Sequence, residues 1–357
     1  MKPVALVTGE VSPYRREPFR LLAEAEGLEV LAFRSAGEPV DGLTVKHVTE
    51  REAGGLVGSG RYRAVVCGLG GRVALPGSYA AARRAGIPFV LWASLWSHPR
   101  SAAHALSWPP TLWLYRRADA VVTYGPHVTS YVQRWRGPRG DVYEAPQAVS
   151  AAEFGAPVDP ALRTRARARA GGREPGFLLL FAGRLEREKG VEVLLEAWAR
   201  AGLGTDTALA LAGSGRLHPA GRGVHALGVV RRADLPALYA AADALVLPSI
   251  PTATFREPWG LVVNEAMHQG TPVIASDAVG AVAGGLVRDG RNGLVVPAGD
   301  PEALATRIRA LAMNPELRGR LGEAARADVE PYTEAAWAAG MRRALEAVGA
   351  GSGDRSC

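Results

Sequence analysis

The stretch that decides the fold is TFREPWGLVVNEAMHQGTPVIASD, residues 254–277. It follows an apolar run, residues 244–247, that predicts a buried strand. Residues 260–269 are typical of a short helix that ends before Gly270. Residues 271–275 are β-branched and apolar, which predicts the next parallel strand. A strand, a helix and a second strand in this order indicate an α/β sheet.

Two carboxylates flank the start of this predicted helix. Glu257 precedes its first turn, and Glu265 lies more than one turn inside. The free amides and the dipole of a helix N-terminus favour an anion such as a phosphate, and acidic side chains beside it can hold sugar hydroxyls. The residues therefore indicate a nucleotide-sugar site. Taken singly, each glutamate is about equally well explained as an ordinary helix residue, because acidic residues near helix starts are common.

Length, apolar runs and cysteine content exclude several classes of protein. The 357 residues are enough for two domains of ordinary size. No apolar run approaches the roughly 18 residues that span a bilayer, and the N-terminus is too short in its apolar part for a signal peptide. Cys67 and Cys357 are the two cysteines, so we expect no disulfide framework and a reducing cytoplasm. The net charge of +7 suits nucleotides, nucleic acid or an anionic membrane without choosing among them.

Strands and helices alternate in both halves of the chain. In the first half the predicted strands are residues 4–8, 28–33, 64–69, 88–92 and 120–124. Residues 150–176 break the pattern with prolines, glycines and arginines, Arg173 among them, which predicts a linker with a short exposed helix. We expect an α/β fold of two doubly wound, Rossmann-like domains facing across a cleft. The expected bounds are 1–155 and 177–331 for the domains, 156–176 for a linker, 332–349 for a helix packing back on the first domain, and 350–357 for a tail, with disorder expected from residue 349.

A cationic loop, residues 183–190, follows the first predicted strand of the second half. It places Arg184 and Lys189 at the carboxyl edge of the sheet, where two fixed cations can neutralise a pyrophosphate leaving group. The competing interpretation is a solvated loop whose charges pair with Glu186 and Glu188.

Eight short motifs follow one another along the second half of the chain. They are GRL at 183–185, EKG at 188–190, LAGSG at 211–215, AADALVLPS at 241–249, EPWGL at 257–261, NEA at 264–266, GTPVIA at 270–275 and NG at 292–293. From about residue 177 to 311 this resembles the nucleotide-diphosphosugar-binding domain of family 4 retaining glycosyltransferases, which have the GT-B fold. The two glutamates in this context are the most specific part of the resemblance.

The resemblance implies a role for each matched position. It implies that Arg184 and Lys189 bind the diphosphate, Glu257 the donor sugar hydroxyls, Glu265 the ribose hydroxyls, and the amides around Trp259, Gly260 and Leu261 the phosphate oxygens. It also implies retention of anomeric configuration, no cofactor and no metal. The sequence also favours a reaction without a metal ion, since it has no Asp-x-Asp pair and no metal-ligand spacing among its histidines.

The first half matches the family less closely. The loop around Arg15 looks like the acceptor-side loop of some bacterial members, so Arg15 and Gly9 are predicted to bind substrate. The usual Pro-Asn-Gly at the domain junction is replaced by residues 146–148, Pro-Gln-Ala, which leaves no position for a role of the Asn. His98 either contacts the donor sugar, as a catalytic-site residue, or is a surface histidine in a Pro-rich loop.

Tryptophans and arginines crowd one segment of the first half. They are Trp92, Trp96, Trp108 and Trp113, with Arg100, Arg116 and Arg117. This composition is typical of interfacial membrane binding and also of an ordinary α/β core with a basic rim. We therefore expect a cytoplasmic protein and leave a peripheral contact with the inner face of the membrane open.

The leading hypothesis is a retaining, metal-independent glycosyltransferase. It moves a sugar from a nucleotide-diphosphate sugar to a hydroxyl acceptor, with a lipid-linked acceptor as one option, in the synthesis of a cell-surface polysaccharide, glycolipid or other glycoconjugate. A sugar-nucleotide epimerase or hydrolase on the same fold is the alternative. A nucleic-acid-binding protein is a distant one, because no binding motif accompanies the charge. A dehydrogenase is disfavoured because neither glycine-rich segment, at 68–73 or 213–218, completes Gly-x-Gly-x-x-Gly.

Overall fold

The computed structural model describes residues 1–137, 139–172 and 175–352. These residues divide into two compact units. Unit 1 is Met1–Ala148 with the described residues from Tyr332 onward, and unit 2 is Val149–Pro331. The first unit thus ends before residue 155, where the sequence placed the boundary.

Unit 1 is built on a parallel sheet flanked by helices. Its described strands run in the order β3-β2-β1-β4-β5-β6-β7, and all neighbours are parallel. The strands are β1 Val4–Glu10, β2 Leu28–Ser35, β3 Thr44–His47, β4 Ala64–Gly68, β5 Phe89–Ala93, β6 Ala120–Thr123 and β7 Val142–Glu144. The helices are α1 Arg16–Glu26, α2 Glu50–Val57, α3 Ala74–Ala85, α4 Ala102–Arg117, α5 Pro126–Arg136 and, at the chain end, α14 Glu334–Ala347.

Strand β1 shows why the chain forms this layered arrangement. Successive strand side chains point to opposite faces of a sheet. Val4 and Leu6 join the core beneath α1 and α14, whereas Ala5 and Val7 join the core beneath α2 and α3. A strand covered on both faces must be apolar at every position, which explains its unbroken hydrophobic run.

The last helix, α14, is part of unit 1. The Trp337 ring is fully buried and lies 5.5 Å from the Phe19 ring and 5.6 Å from the Trp92 ring, measured between centroids. Residues 349–352, where the sequence predicted a disordered tail, are also held on this unit, since the Ser352 amide donates to Glu26 at 2.7 Å. The rest of the predicted tail, residues 353–357, lies outside the described residues.

Unit 2 repeats the layered plan. Its described strands run in the order β10-β9-β8-β11-β12-β13, again all parallel. They are β8 Phe177–Ala182, β9 Thr207–Ala212, β10 Val224–Gly228, β11 Ala244–Leu247, β12 Val273–Ser276 and β13 Gly293–Val296. The helices are α6 Ala151–Phe154, α7 Pro160–Gly171, α8 Val191–Ala201, α9 Leu235–Ala241, α10 Leu261–His268, α11 Gly280–Ala283, α12 Pro301–Met313 and α13 Pro315–Val329.

The segment expected to be a linker, residues 156–176, contains helix α7, which packs on unit 2. Ala170 is fully buried, and the Arg167 guanidinium donates to the Asp243 carboxylate at 2.7 Å and to the Ala241 carbonyl at 2.6 Å. The arginine-rich pattern indicates solvated charges. Arg167 instead forms an ion pair with Asp243 in which only 15% and 18% of the two side chains are exposed. Arg173 lies outside the described residues.

Several elements of unit 1 were not predicted, among them strands β3 and β7 and helix α4. Strands β3 and β7 are short and only partly buried, so they carry little apolar signal. Helix α4 contains Pro109 and Pro110, which ordinarily stop a helix. Both prolines lie on the exposed side, where water can satisfy the carbonyl groups that lose their amide partners.

The tryptophan cluster is largely part of the core. Trp92 is 7% exposed. Trp108 packs with its ring centroid 4.1 Å from that of His98 and 5.1 Å from that of Trp135. Trp113 is 47% exposed. The arrangement favours the core interpretation for most of this segment.

Replacing Trp337 by alanine should destabilise the protein by about 3–5 kcal/mol, because it empties a large, fully buried site. Chemical unfolding followed by circular dichroism measures this change. Trp113→Ala is the matched control, and its exposed ring should cost less than about 1 kcal/mol. Equal effects of the two substitutions would contradict the placement of α14.

Candidate functional site

Three loops meet at the carboxyl edge of the unit 2 sheet. They follow β8, β9 and β11, and beside them lies a cavity of about 380 Å³. Open parallel sheets bind ligands at this edge. The residues lining the cavity are Ala182, Gly183, Arg184, Ala212, Gly213, Ser214, Val229, Val230, Leu235, Tyr239, Val262 and Glu265.

The loops after β8 and β9 touch backbone to backbone. The Gly183 amide donates to the Ala212 carbonyl at 2.9 Å, and the Leu185 amide donates to the Ser214 carbonyl at 2.9 Å. A Cβ atom on Gly213 would lie 1.8 Å from the Gly183 oxygen, and Gly213 also has φ of 147°. Only glycine satisfies both conditions. One wall of the cavity is therefore bare backbone, which a ligand can approach closely.

Arg184 stands at the rim of this cavity. Its side chain is 60% exposed and pairs with Glu188 at 3.0 Å, while Glu186 pairs with Arg216 at 2.8 Å. Such exposed ion pairs contribute only about 0–1 kcal/mol. The guanidinium can therefore exchange Glu188 for a more highly charged anion at little cost.

Lys189 and Glu257 form a buried ion pair. The Lys189 Nζ lies 2.5 Å from Glu257 Oε2, and the two side chains are 15% and 7% exposed. The Ser249 hydroxyl donates to the same carboxylate oxygen at 3.0 Å. The structure thus brings together two predicted site residues that are 68 positions apart in the sequence.

Helix α10 begins where the sequence predicted it. Gly260 precedes the first residue, Leu261, with φ of 95°. The Leu261 and Val262 amides have no acceptor among the described residues, and Val262 lines the cavity. The Trp259 side chain is buried and donates from Nε1 to Asn264 at 2.7 Å, so its indole does not face a ligand.

Glu265 presents a buried carboxylate to the same cavity. It is 8% exposed, and the Tyr239 hydroxyl donates to Oε2 at 2.5 Å. Burial raises the pKa of Glu265, against the opposing effect of the Tyr239 hydrogen bond. Nothing in the sequence pointed to Tyr239, which lies among the apolar residues of helix α9.

The residues of unit 1 that were predicted to bind substrate do not line the cavity of unit 2. Arg15 is 6% exposed, and its Nη2 donates to Gln147 at 2.5 Å and to the Tyr124 hydroxyl at 3.1 Å. Gly9 lies near the end of β1, where an added Cβ would find ordinary contacts. His98 hydrogen-bonds through Nε2 to the His104 carbonyl at 2.8 Å.

No group of three or more histidine, cysteine, aspartate or glutamate side chains that could hold a metal ion occurs within the described residues.

Comparison with known proteins gives one family and a consistent fold. The family description "Glycosyl transferases group 1" matches residues 163–328. The D-inositol 3-phosphate glycosyltransferase of Streptomyces scabiei is 35% identical over 190 residues, which are 48% of this chain and 41% of that protein. The chain thus matches less than half the length of this curated relative.

Solved structures resemble the whole chain. Anabaena Alr3699/HepE, crystallised in complex with UDP and glucose, has a TM-score of 0.79 at 19% identity, covering 97% of this chain and all of that one. Sucrose-phosphate synthase from Thermosynechococcus elongatus has a TM-score of 0.74 at 21% identity, with 98% and 100% covered. The predicted α/β class, with two Rossmann-like units of the GT-B type, is confirmed.

The buried ion pair can be tested by a double-mutant cycle. Lys189→Met should destabilise the protein by about 3–5 kcal/mol, because it leaves the Glu257 carboxylate buried without its cation. Adding Glu257→Gln removes that charge and should recover much of the loss. Urea unfolding measures both, and strictly additive effects would contradict direct pairing.

The stability of the protein should also depend on the charge of Glu265. Since its pKa is raised on folding, its contribution is fully present below the unfolded value of about 4.3 and is lost as pH rises through the folded pKa. Glu265→Gln, which stays neutral, should therefore melt at a higher temperature than the parent protein at neutral pH, with a difference that shrinks in acid. The exposed Glu192→Gln is the control and should show no such trend. A lower melting temperature for Glu265→Gln at neutral pH would contradict the raised pKa.

Proposed function

Since residues 163–328 belong to the glycosyl transferases group 1 family, we propose that this chain is a glycosyltransferase that uses a nucleotide-diphosphate sugar and a hydroxyl acceptor. The observation that carries the proposal is the cavity of unit 2. It combines a bare glycine backbone, a rim arginine, a helix N-terminus and a buried carboxylate.

The nucleoside occupies the part of this cavity that Glu265, Val229 and Val230 line. The ribose hydroxyls donate to the Glu265 carboxylate, whose burial leaves it poorly hydrated and ready to accept hydrogen bonds. The base lies against the apolar side chains of Val229 and Val230. Tyr239 holds the carboxylate in place from the other side.

The diphosphate lies at the rim. Arg184 and the Leu261 and Val262 amides supply positive charge and directed donors, as helix N-termini do for phosphates. The absence of side chains on Gly183 and Gly213 lets the phosphate oxygens approach the backbone.

The donor sugar lies against the Lys189–Glu257 pair. Sugar hydroxyls donate to Glu257, and Lys189 adds positive charge beside the leaving phosphate. In the reaction, the bond between the anomeric carbon and the diphosphate oxygen breaks and the acceptor oxygen bonds to that carbon. The acceptor proton passes to the departing diphosphate, which leaves with the electron pair and is stabilised by fixed charges. We propose retention of configuration and metal independence on the family resemblance. The same resemblance supports substrate contacts by His98 and Gly9 in unit 1.

The first donor to test is UDP-glucose, because the structurally similar Alr3699/HepE was crystallised with UDP and glucose. The proposed acceptor is a hydroxyl of a cell-surface glycan or glycolipid precursor, which can be lipid-linked, and the proposed compartment is the cytoplasm or the inner face of the membrane. Among the described helices, none is long and apolar enough to cross a bilayer.

The proposed diphosphate contact predicts that two arginines of the same loop contribute unequally to UDP binding. Arg184→Ala should raise the Kd of UDP about 10- to 100-fold, as expected for a charged hydrogen bond. Arg187→Ala removes the same charge from the same loop, where Arg187 is exposed, and should change the Kd only slightly. Isothermal titration calorimetry measures both.

A thermal-shift screen with UDP-, GDP- and ADP-glucose then identifies the donor, because a bound nucleotide stabilises by mass action. No stabilisation by any of the three nucleotide sugars, or an equal increase in the Kd of UDP in the two arginine variants, would contradict the assignment of the site. Release of free glucose or of an epimer without any dependence on acceptor would instead favour the hydrolase or epimerase.

A further inference from the structure

Two buried carboxylate or guanidinium side chains lack an oppositely charged partner within 4 Å among the described residues. They are Glu265 in unit 2 and Arg15 in unit 1. The other buried carboxylates and guanidinium have such partners, as in Glu26 with Arg63, Glu29 with Lys46, Arg136 with Asp141 and Glu257 with Lys189. Buried charges are ordinarily paired. The proposed function gives Glu265 the ribose hydroxyls as hydrogen-bond donors, and a carboxylate can also take up a proton. A guanidinium cannot lose its charge, so Arg15 is the group that calls for a charged ligand.

Arg15 lies at the carboxyl edge of the unit 1 sheet. It follows β1, and its contacts follow or end three other strands: Trp92 in β5, Tyr124 after β6 and Gln147 after β7. This is the edge at which parallel sheets bind ligands. The position therefore matches the one that the nucleotide cavity occupies in unit 2.

Part of the Arg15 guanidinium has no acceptor. Nη2 donates to Gln147 and to the Tyr124 hydroxyl. Nε and Nη1 make no hydrogen bond within the described residues, and 6% of the residue is exposed. The remaining N–H groups are thus available to a small oxyanion that enters from the edge.

Aromatic rings hold the guanidinium in position. Its Cζ lies 4.7 Å from the centroid of the Trp92 ring, 5.4 Å from that of Tyr124 and 5.8 Å from that of Trp337. The faces of these rings stabilise a cation but carry no opposite charge. They fix the orientation of the arginine without neutralising it, which is the arrangement that a preorganised anion site requires.

We propose that Arg15 and Tyr124 form a subsite for an oxyanion, a carboxylate or a phosphate ester, carried by the acceptor. This rests on the proposed glycosyltransferase function and adds the chemical class of the acceptor. A neutral sugar would leave the cation uncompensated, whereas a sugar phosphate or a uronic acid would supply the missing charge.

The test is a titration of the full-length protein with sodium phosphate. UDP is first added to saturation so that the unit 2 cavity is filled, and ionic strength is held constant with sodium chloride. Because Trp92 and Trp337 contact the guanidinium, tryptophan fluorescence reports binding. We expect saturable phosphate binding in the parent protein and in Arg84→Gln, an exposed arginine of α3 that serves as the charge-matched control.

Arg15→Gln should weaken phosphate binding at least about tenfold, as for loss of a charged hydrogen bond. If that variant does not fold, Arg15→Lys decides, since it keeps the charge but loses the planar donors. Glucose 1-phosphate, glucuronate and glucose then distinguish a phosphate from a carboxylate source, and glucose should not bind at this subsite. An unchanged phosphate Kd in Arg15→Gln or Arg15→Lys, an equal loss in Arg84→Gln, or no saturable binding in the parent protein would overturn the proposal.

The two proposals fail separately. UDP binding alone tests the donor site, and phosphate binding in an Arg184→Ala background tests Arg15 whether or not UDP binds.

Discussion

The Lys189–Glu257 ion pair is the interaction on which the site of unit 2 depends. It joins the loop after β8 to the loop after β11, across 68 positions of sequence. The two loops are also in contact at their backbones, since a Cβ on Gly190 would lie 1.9 Å from the Pro248 oxygen. Because the pair is buried, its geometry is fixed, and with it the position of the segment that leads into helix α10.

The glycine contacts fix the second side of the site. Gly213 packs on Gly183, and a Cβ on Gly215 would lie 2.3 Å from the Leu185 oxygen. These contacts align the loops after β8 and β9 and place Arg184 at the rim of the cavity. In the proposed function, the diphosphate contacts bare backbone, a helix N-terminus and the exposed Arg184 cation, while the sugar and ribose hydroxyls contact carboxylates. The diphosphate, the sugar and the ribose of the proposed ligand would thus each bind to different residues of the site.

Much of unit 2 could be predicted from sequence because its signals are local. The bounds of α10 and β12 lie within one or two residues of those that the glycines and β-branched residues of 254–277 predict. Arg184 and Glu265 both line the cavity. What could not be predicted depends on tertiary contacts. No sequence pattern joins Tyr239 to Glu265 or Lys189 to Glu257, and neither α4 with its prolines nor the packing of α7 follows from local propensity. In unit 1, the motif around Arg15 gave a substrate-binding prediction, but only the structure shows an arginine held between aromatic rings.

Amide hydrogen exchange with and without UDP tests the central claim most directly, because it locates the nucleotide without any substitution. Binding at the carboxyl edge of the unit 2 sheet predicts slower exchange at Arg184, Ser214 and the first amides of α10, Leu261 and Val262, with little change in strands β1 to β7 of unit 1. Protection confined to unit 1, or no protection of these loops at saturating UDP, would contradict the account.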